Sequence, residues 1–307
     1  MKRFIVPSSW SRKAIGSILV AAIACMVACG DDSSSSGPNG ELVSVESSSS
    51  SKKLNSSSSV IASNDPESSS SSEPIKQSSS SLNCSVWSLT KGAYLNPNIN
   101  YGTMTDERDG YVYRTVKIGD QTWMAENLNF DPGQGGSGDA KYDWSWCYNN
   151  EPKNCDVAGR LYTWAAAIDS VMTGCGNGSE CRQYLIDERV FQGICPMGWH
   201  LPSRWEWKIL LTAVGGQSTA GKVLKSQMHW NDNGNGTDAF GFSALPTGAG
   251  FDGEFGQDCN TSVFWSATDF YEDLGYGMLL WNSSNESFLG DFGIAKSDAL
   301  SVRCVKN

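Results

Sequence analysis

Histidine is nearly absent from this 307-residue chain, which has only His200 and His229. Histidine is the commonest metal-ligating side chain and the usual base of Ser/His/Asp and Cys/His arrangements. Its scarcity disfavours His-rich metal sites and most hydrolase mechanisms.

Basic side chains are also outnumbered, with 23 Lys and Arg against 33 Asp and Glu and a net charge of -10. Proteins that bind nucleic acids need a basic surface to neutralise phosphates. We therefore expect no nucleic-acid partner.

Long apolar runs are lacking except for residues 14–28, which follow four basic residues. About fifteen residues fall short of the roughly 20 that a membrane-spanning helix needs, so we expect residues 1–28 to be a cleaved export signal. Met26–Cys29 resembles the lipobox of bacterial lipoproteins, in which the cysteine is lipidated and becomes the N-terminus. We expect Cys29 to be the lipid anchor, although Ala22–Cys25 offers a second box.

Residues 33–81 lack the apolar side chains that a core requires and contain five runs of four or five serines. Ordering such a segment costs roughly 1 to 2 kcal/mol per residue without compensating burial. We expect residues 29–83 to be a disordered stalk that holds the following domain about 40 Å from the lipid. The composition suits both an O-glycosylated stalk and an unmodified spacer.

Residues 84–307 are long enough for one α+β domain, and their eight cysteines favour disulfides in an exported chain. Tyr111–Ile118 and Gln121–Ala125 flank Gly119-Asp120, which predicts a β-hairpin. Apolar spacing predicts a helix over 160–171.

A second helix is predicted to begin at Ser203 with a Ser203/Glu206 capping box and to stop at Gly215-Gly216. Its apolar face would contain Trp207, Leu210, Leu211 and Val214. From Phe240 onward, short apolar pieces between turn residues predict β-hairpins and long loops.

A series of ordered motifs resembles the Fibrobacter succinogenes major paralogous domain family over nearly all of 106–307. The motifs are Asp109–Gly119, Trp123–Leu128, Gly159–Trp164, Cys195–Ser203, Gly241–Pro246, Phe264–Ser266 and Ser301–Cys304. The lipidated, serine-rich leader is similar to that of secreted members. This resemblance implies a family and an envelope location but no specific activity.

A more distant likeness, in Cys195, Trp199, His200-Leu201-Pro202-Ser203 and the helix after it, is to the C-type-lectin-like fold of formylglycine-generating enzymes. It implies a single disulfide-stabilised C-type-lectin-like domain with a Cys195–Cys304 bond. Neighbouring positions suggest Cys147–Cys155 and Cys175–Cys181, which leaves Cys84 with Cys259.

Residues 230–238 alternate oxygen-bearing side chains with glycines, so Asn231, Asn233, Asn235 and Asp238 could hold calcium. However, Phe242 stands where an EF-hand loop would have its bidentate Glu, and Asn-Gly pairs are ordinary turn formers. We favour turns, keep calcium as the alternative, and expect no other cofactor.

Twelve tryptophans are present, and flat indole faces can stack on sugar rings. Those within family motifs or on apolar faces are predicted to be core residues: Trp123, Trp164, Trp199, Trp207 and Trp265. Those beside polar or glycine-rich stretches are the candidates for exposed ligand contacts: Trp144, Trp146, Trp230 and Trp281.

Catalysis has weaker support than binding. The chain lacks the late reactive cysteine pair of formylglycine-generating enzymes, and the spacing of Glu126, Glu206 and Asp238 selects no glycosidase pair. Glu206 has a capping role, His200 is expected to be a hydrogen-bonding core residue, and the role of His229 stays open.

The sequence therefore predicts a lipoprotein of the cell envelope, in the outer membrane, whose domain is a binding or adhesive module. The expected partners are the membrane, through the lipid, and a polysaccharide or a surface protein. The alternatives are an enzyme on a formylglycine-generating scaffold and a structural envelope protein.

Overall fold

The computed structural model describes residues 85–133, 145–173, 190–251, 253–271, 273–290 and 293–307. All of them lie within one compact unit, Gln77–Asn307, and form an α+β fold in which short helices pack on β-sheets. The strands are β1 (Gly102–Thr105), β2 (Val112–Ile118), β3 (Gln121–Met124), β4 (Ser145–Trp146), β5 (Leu161–Tyr162), β6 (Trp199–His200), β7 (Ala249–Phe251), β8 (Glu254–Gly256), β9 (Thr261–Tyr271), β10 (Leu274–Trp281), β11 (Ser287–Leu289), β12 (Ile294–Ala295), β13 (Leu300–Ser301) and β14 (Val305–Lys306).

The first sheet is antiparallel with the strand order β1-β2-β3-β14-β6. The predicted hairpin is confirmed, because Ile118 pairs with Gln121 across the two-residue turn Gly119-Asp120. Gly119 has a φ of 60°, which glycine adopts without a steric penalty. Residues of β2 alternate between exposed and buried over most of its length, so one face of this sheet covers the core.

The second sheet has the order β11-β10-β9-β13-β5-β4, and β12 also pairs with β10. Its centre is the long β9–β10 hairpin. The first eight residues of β9 are all buried, which explains its nearly continuous run of apolar and small side chains. A two-stranded β7–β8 hairpin is joined to the second sheet by single bridges, such as that between Gly250 and Ala299, the residue before β13.

The described helices are α1 (Pro152–Ala158), α2 (Trp164–Ala167), α3 (Ser170–Thr173), α4 (Arg204–Ala213) and α5 (Gln217–Leu224). The predicted start of α4 is confirmed: Ser203 Oγ accepts from the Glu206 amide, and Glu206 accepts from the Ser203 amide. The predicted apolar face of α4 is buried against the core. No helix in the described part of the chain is both long and apolar enough to cross a membrane.

The prediction of one helix over 160–171 is wrong. Leu161 is in β5, where it pairs with Trp146 and Ser301. Thr163 then caps α2, and Asp169, with a φ of 55°, separates α2 from α3. Pairing with strands distant in sequence therefore outweighs the local helical spacing.

The C-terminal segment joins the two sheets. It forms β13 in the second sheet and β14 in the first, and the three residues between them are buried. The amides of Met124 and Leu128 donate to the carbonyls of Cys304 and Val302, respectively. The chain end thus closes the core between the sheets.

Two disulfides lie within the described residues, Cys147–Cys155 and Cys195–Cys304. Both pairs are those expected above. Cys259 is also disulfide-bonded, whereas Cys84, Cys175 and Cys181 lie outside the described residues. Each described cysteine is therefore in a disulfide.

Candidate functional site

A cleft of about 360 Å³ lies against β1 and β2 of the first sheet. It is lined by Lys91, Gly92, Leu95, Thr103, Val112, Arg114 and Glu126. Pairing of β1 with β2 sets Thr103 directly opposite Arg114, and the turn around Lys91 contributes the residues from outside the sheet. Its volume is within the range of small-molecule sites, roughly 300 to 1,000 Å³.

Glu126 supplies a buried carboxylate to this cleft, because its residue is only 5% exposed. Its Oε2 accepts the Arg114 amide at 2.5 Å. This bond fixes the carboxylate against β2, and the hydrogen bond from the Ala125 amide to the Arg114 carbonyl holds the backbone that carries it. Buried carboxylates of this kind need hydrogen-bond donors to offset their desolvation.

Lys91 and Arg114 provide the cations of the cleft. Lys91 Nζ donates to the Val112 carbonyl at 2.8 Å and lies 3.4 Å from the centre of the Tyr111 ring. Burial lowers the pKa of Lys91, and the nearby charge of Glu126 opposes this effect. Arg114 is exposed, so its guanidinium can reach a ligand in the cleft.

A second feature is a cluster of four aromatic residues beside the Cys147–Cys155 disulfide. Tyr148 stacks on Trp87 with ring centres 4.6 Å apart and lies 5.3 Å from Phe255. Trp146 packs against the same buried group, and Trp87, Trp146 and Phe255 are partly exposed. Trp87 Nε1 donates to Asp258 Oδ2 at 3.0 Å, which fixes its indole.

The four tryptophans proposed as ligand contacts do not share one environment in the structure. Trp146 belongs to the aromatic cluster, and Trp281 is partly buried against the core. Trp144 lies outside the described residues. The prediction that Trp230 is a surface residue is wrong, because it is 4% exposed and its Nε1 donates to Ser226 and Ala244.

The five tryptophans predicted to be core residues are all buried. Four of them, Trp123, Trp164, Trp207 and Trp265, are completely enclosed. Trp123 and Trp207 also lie with ring centres 4.7 Å apart, between the first sheet and α4. These residues therefore serve packing and are not available to a ligand.

The candidate calcium loop uses its side chains for internal hydrogen bonds. Asn235 Oδ1 accepts from the Trp230 amide, and Asn231 Nδ2 donates to Asn260. The Asp238 carboxylate is buried and accepts from the amide and hydroxyl of Ser243. Asn233 has a φ of 59°, as turn asparagines often do. Calcium binding here stays a prediction.

Asp238 gives a pH-dependent test of this internal arrangement. Burial raises the pKa of Asp238 from 3.8 to about 6, and the Ser243 hydrogen bonds oppose the shift. The folded chain therefore binds this proton more tightly than the unfolded chain. The resulting stabilisation is complete below about pH 4 and is lost as the pH rises through about 6.

We expect the free energy of unfolding of the wild type, minus that of Asp238→Asn, to fall by about 3 kcal/mol between pH 3.5 and pH 7. Urea unfolding of both proteins at a series of pH values measures this difference. Asparagine keeps one oxygen acceptor and removes the ionisation. A difference that does not change with pH would contradict the assignment.

The buried His200 pairs with the partly exposed Glu206 at the start of α4. His200 Nε2 lies 2.5 Å from Glu206 Oε1, and its Nδ1 lies 2.6 Å from Asn307 Oδ1. Burial would raise the pKa of Glu206, but hydrogen bonds from His200 and Ser203 outweigh it and lower the pKa. The expectation that His200 is a hydrogen-bonding core residue is confirmed.

His229, Glu126 and Asp238 each form hydrogen bonds with residues other than this pair. His229 Nδ1 lies 2.7 Å from Ser85 Oγ, and burial lowers its pKa. Glu126, Glu206 and Asp238 have separate hydrogen-bonding networks. In the described part of the chain, no group of three His, Cys, Asp or Glu residues could hold a metal.

The sequence alone does not identify several residues of these sites as functional candidates. Lys91 and Trp87 lie outside the recognised family motifs. Arg114 and Glu126 lie within the motifs Asp109–Gly119 and Trp123–Leu128, but no sequence signal marks them as ligand contacts. The β2–β3 hairpin brings Arg114 and Glu126 together, and Lys91 comes from outside this hairpin.

Comparison with known proteins gives one match. No curated protein and no solved structure matches the chain. The family described as the Fibrobacter succinogenes major domain matches residues 116–306, which include β3, α4, the Cys195–Cys304 disulfide and Glu126 of the cleft. The chain therefore belongs to the Fibrobacter succinogenes major domain family.

Proposed function

We propose that this protein is an envelope lipoprotein whose domain binds polysaccharide without turning it over. Cys29 would carry the lipid, and the serine-rich stalk would extend the domain from the outer membrane. The apolar run before Cys29 and the even number of cysteines after it support export. An exported, lipid-anchored domain would meet envelope and environmental polysaccharides.

We also propose that the domain has the C-type-lectin-like fold. Support comes from the disulfide that connects Cys195, before α4, with Cys304, just before β14. The last strand, β14, lies inside the first sheet between β3 and β6, so this bond ties the segment before α4 to the interior of that sheet. The proposal concerns architecture alone, because a fold by itself specifies no ligand.

The observation that carries the binding proposal is the partly exposed aromatic cluster of Trp87, Trp146, Tyr148 and Phe255. Aromatic faces bind the apolar C–H faces of sugar rings while the sugar hydroxyls remain in water, so such a surface suits an insoluble polymer. The Cys147–Cys155 disulfide and the Trp87 hydrogen bond hold the rings in place. Such preorganisation reduces the entropy lost on binding.

We expect Trp146→Ala to weaken retention on the bound polysaccharide about tenfold, because losing one stacked indole costs on the order of 1.4 kcal/mol. Depletion isotherms of the full chain on the insoluble polymer measure this change. Phe255→Ala tests a second ring of the same cluster.

The matched control is Trp205→Ala, because Trp205 is a 55% exposed tryptophan on α4, outside the cluster. We expect this variant to bind like the wild type. Equal losses in Trp146→Ala and Trp205→Ala, or a loss confined to Trp205→Ala, would contradict the assignment of the aromatic cluster.

A further inference from the structure

The charged groups of the cleft, which all belong to described residues, form no ion pair with one another. Among the described residues, no ion pair joins Glu126 to Lys91 or to Arg114. Glu126 accepts one hydrogen bond, from a backbone amide, and it does so through Oε2. A buried carboxylate beside two cations would ordinarily pair with one of them, so this separation leaves room for a ligand between them.

The buried Glu126 and the exposed Arg114 offer a ligand different chemistry. Glu126 Oε1 accepts no hydrogen bond from any described residue and can accept from ligand hydroxyls. The exposed Arg114 guanidinium likewise has no hydrogen-bond or ion-pair partner in the described part of the chain, and it presents donors that suit a ligand carboxylate. Thr103, directly across the strand pair, adds a hydroxyl.

We propose that this cleft binds a single uronic acid residue of a polysaccharide, with the sugar hydroxyls on Glu126 and the sugar carboxylate on Arg114 and Lys91. This inference rests on the proposed polysaccharide binding and specifies the sugar class. Leu95 and Val112 provide the apolar surface against which a sugar ring can pack.

Size and charge both restrict the ligand to one acidic unit. A volume of about 360 Å³ is near the lower end for small-molecule sites, roughly 300 Å³, and suits one ring better than several. The lining residues have a net charge of +1, from two cations and one carboxylate, whereas the chain has -10. A long run of acidic sugars would be repelled by the net negative charge of the chain.

The test is an NMR titration of the oxidised full chain in detergent with the methyl glycosides of glucuronic and galacturonic acid. Methyl glucoside and methyl galactoside are the neutral comparisons. We expect at least one uronate to bind at least about tenfold more tightly than its neutral counterpart, because an Arg–carboxylate pair is a charge-assisted hydrogen bond. Glu126→Gln keeps an acceptor for the Arg114 amide and should also weaken binding about tenfold.

Arg114→Gln should remove the preference for the uronate. Its matched control is Lys117→Gln, because Lys117 is an exposed cation on the same strand that does not line the cleft. Equal affinity for uronates and neutral sugars, absence of uronate binding, or unchanged preference in Arg114→Gln would overturn the inference. If the uronates do not bind while an insoluble polysaccharide still retains the chain, the cleft assignment is wrong and the proposed function stands. If a uronate binds but no polysaccharide retains the chain, the cleft assignment stands and the proposed function is wrong.

Discussion

Replacing both Cys195 and Cys304 with alanine is expected to lower the free energy of unfolding by about 5 kcal/mol. The two residues are 109 positions apart in the sequence and completely buried. In the chain-entropy description, a disulfide restricts the unfolded chain more strongly as the closed loop lengthens. This bond also ties the segment before α4 to the crossing between the two sheets, so its loss frees the C-terminal strand.

The matched comparison is the Cys147→Ala/Cys155→Ala double variant, whose disulfide spans 8 positions. The same entropy relation gives a loss of about 2.5 kcal/mol for this short loop. Equilibrium urea unfolding under non-oxidising, non-reducing conditions measures both losses. A short-loop loss equal to or larger than the long-loop loss would contradict the role given to Cys195–Cys304.

Arg303→Met is expected to destabilise the domain by roughly 3 to 5 kcal/mol. Arg303 is completely buried, and burial lowers its pKa to about 10. Its Nε donates to Asn127 Oδ1 at 2.6 Å, and its Nη1 donates to the carbonyls of Met124 and Phe242. Methionine would fill much of the volume but leave these acceptors without donors.

Arg303 also connects parts of the fold that are distant in sequence. Its guanidinium lies 4.6 Å from the Phe242 ring centre and 5.5 Å from that of Phe264, and it occupies the crossing between β13 and β14. Arg114→Met, at an exposed position, should change the free energy of unfolding by no more than about 0.5 kcal/mol. Urea unfolding of both variants measures the contrast, and similar losses would contradict a structural role specific to Arg303.

Features specified by neighbouring residues could be predicted from the sequence. The β2–β3 hairpin follows from a two-residue turn, and the start of α4 follows from Ser203 and Glu206, three positions apart. The core tryptophans lie on apolar faces or in motifs, so their burial was also predictable. For the hairpin and the helix start, the determining contacts lie between residues close in sequence.

Features specified by distant contacts were missed. Leu161 has helical spacing, yet its pairing with Ser301 places it in a strand. Trp230 lies in a polar stretch, but its indole is buried and its Nε1 donates a hydrogen bond to the Ala244 carbonyl. The cleft is also missed, because Lys91 lies outside the β2–β3 hairpin that brings Arg114 and Glu126 together.

The measurement that tests the central claim most directly is retention of the oxidised full chain on a panel of insoluble plant and bacterial polysaccharides, with calcium and with chelator. We predict retention on at least one polymer, unchanged by chelator, because stacking on the aromatic cluster requires no metal. Retention abolished by chelator would assign binding to the Asn231–Asp238 loop instead. No retention on any polymer would contradict polysaccharide binding.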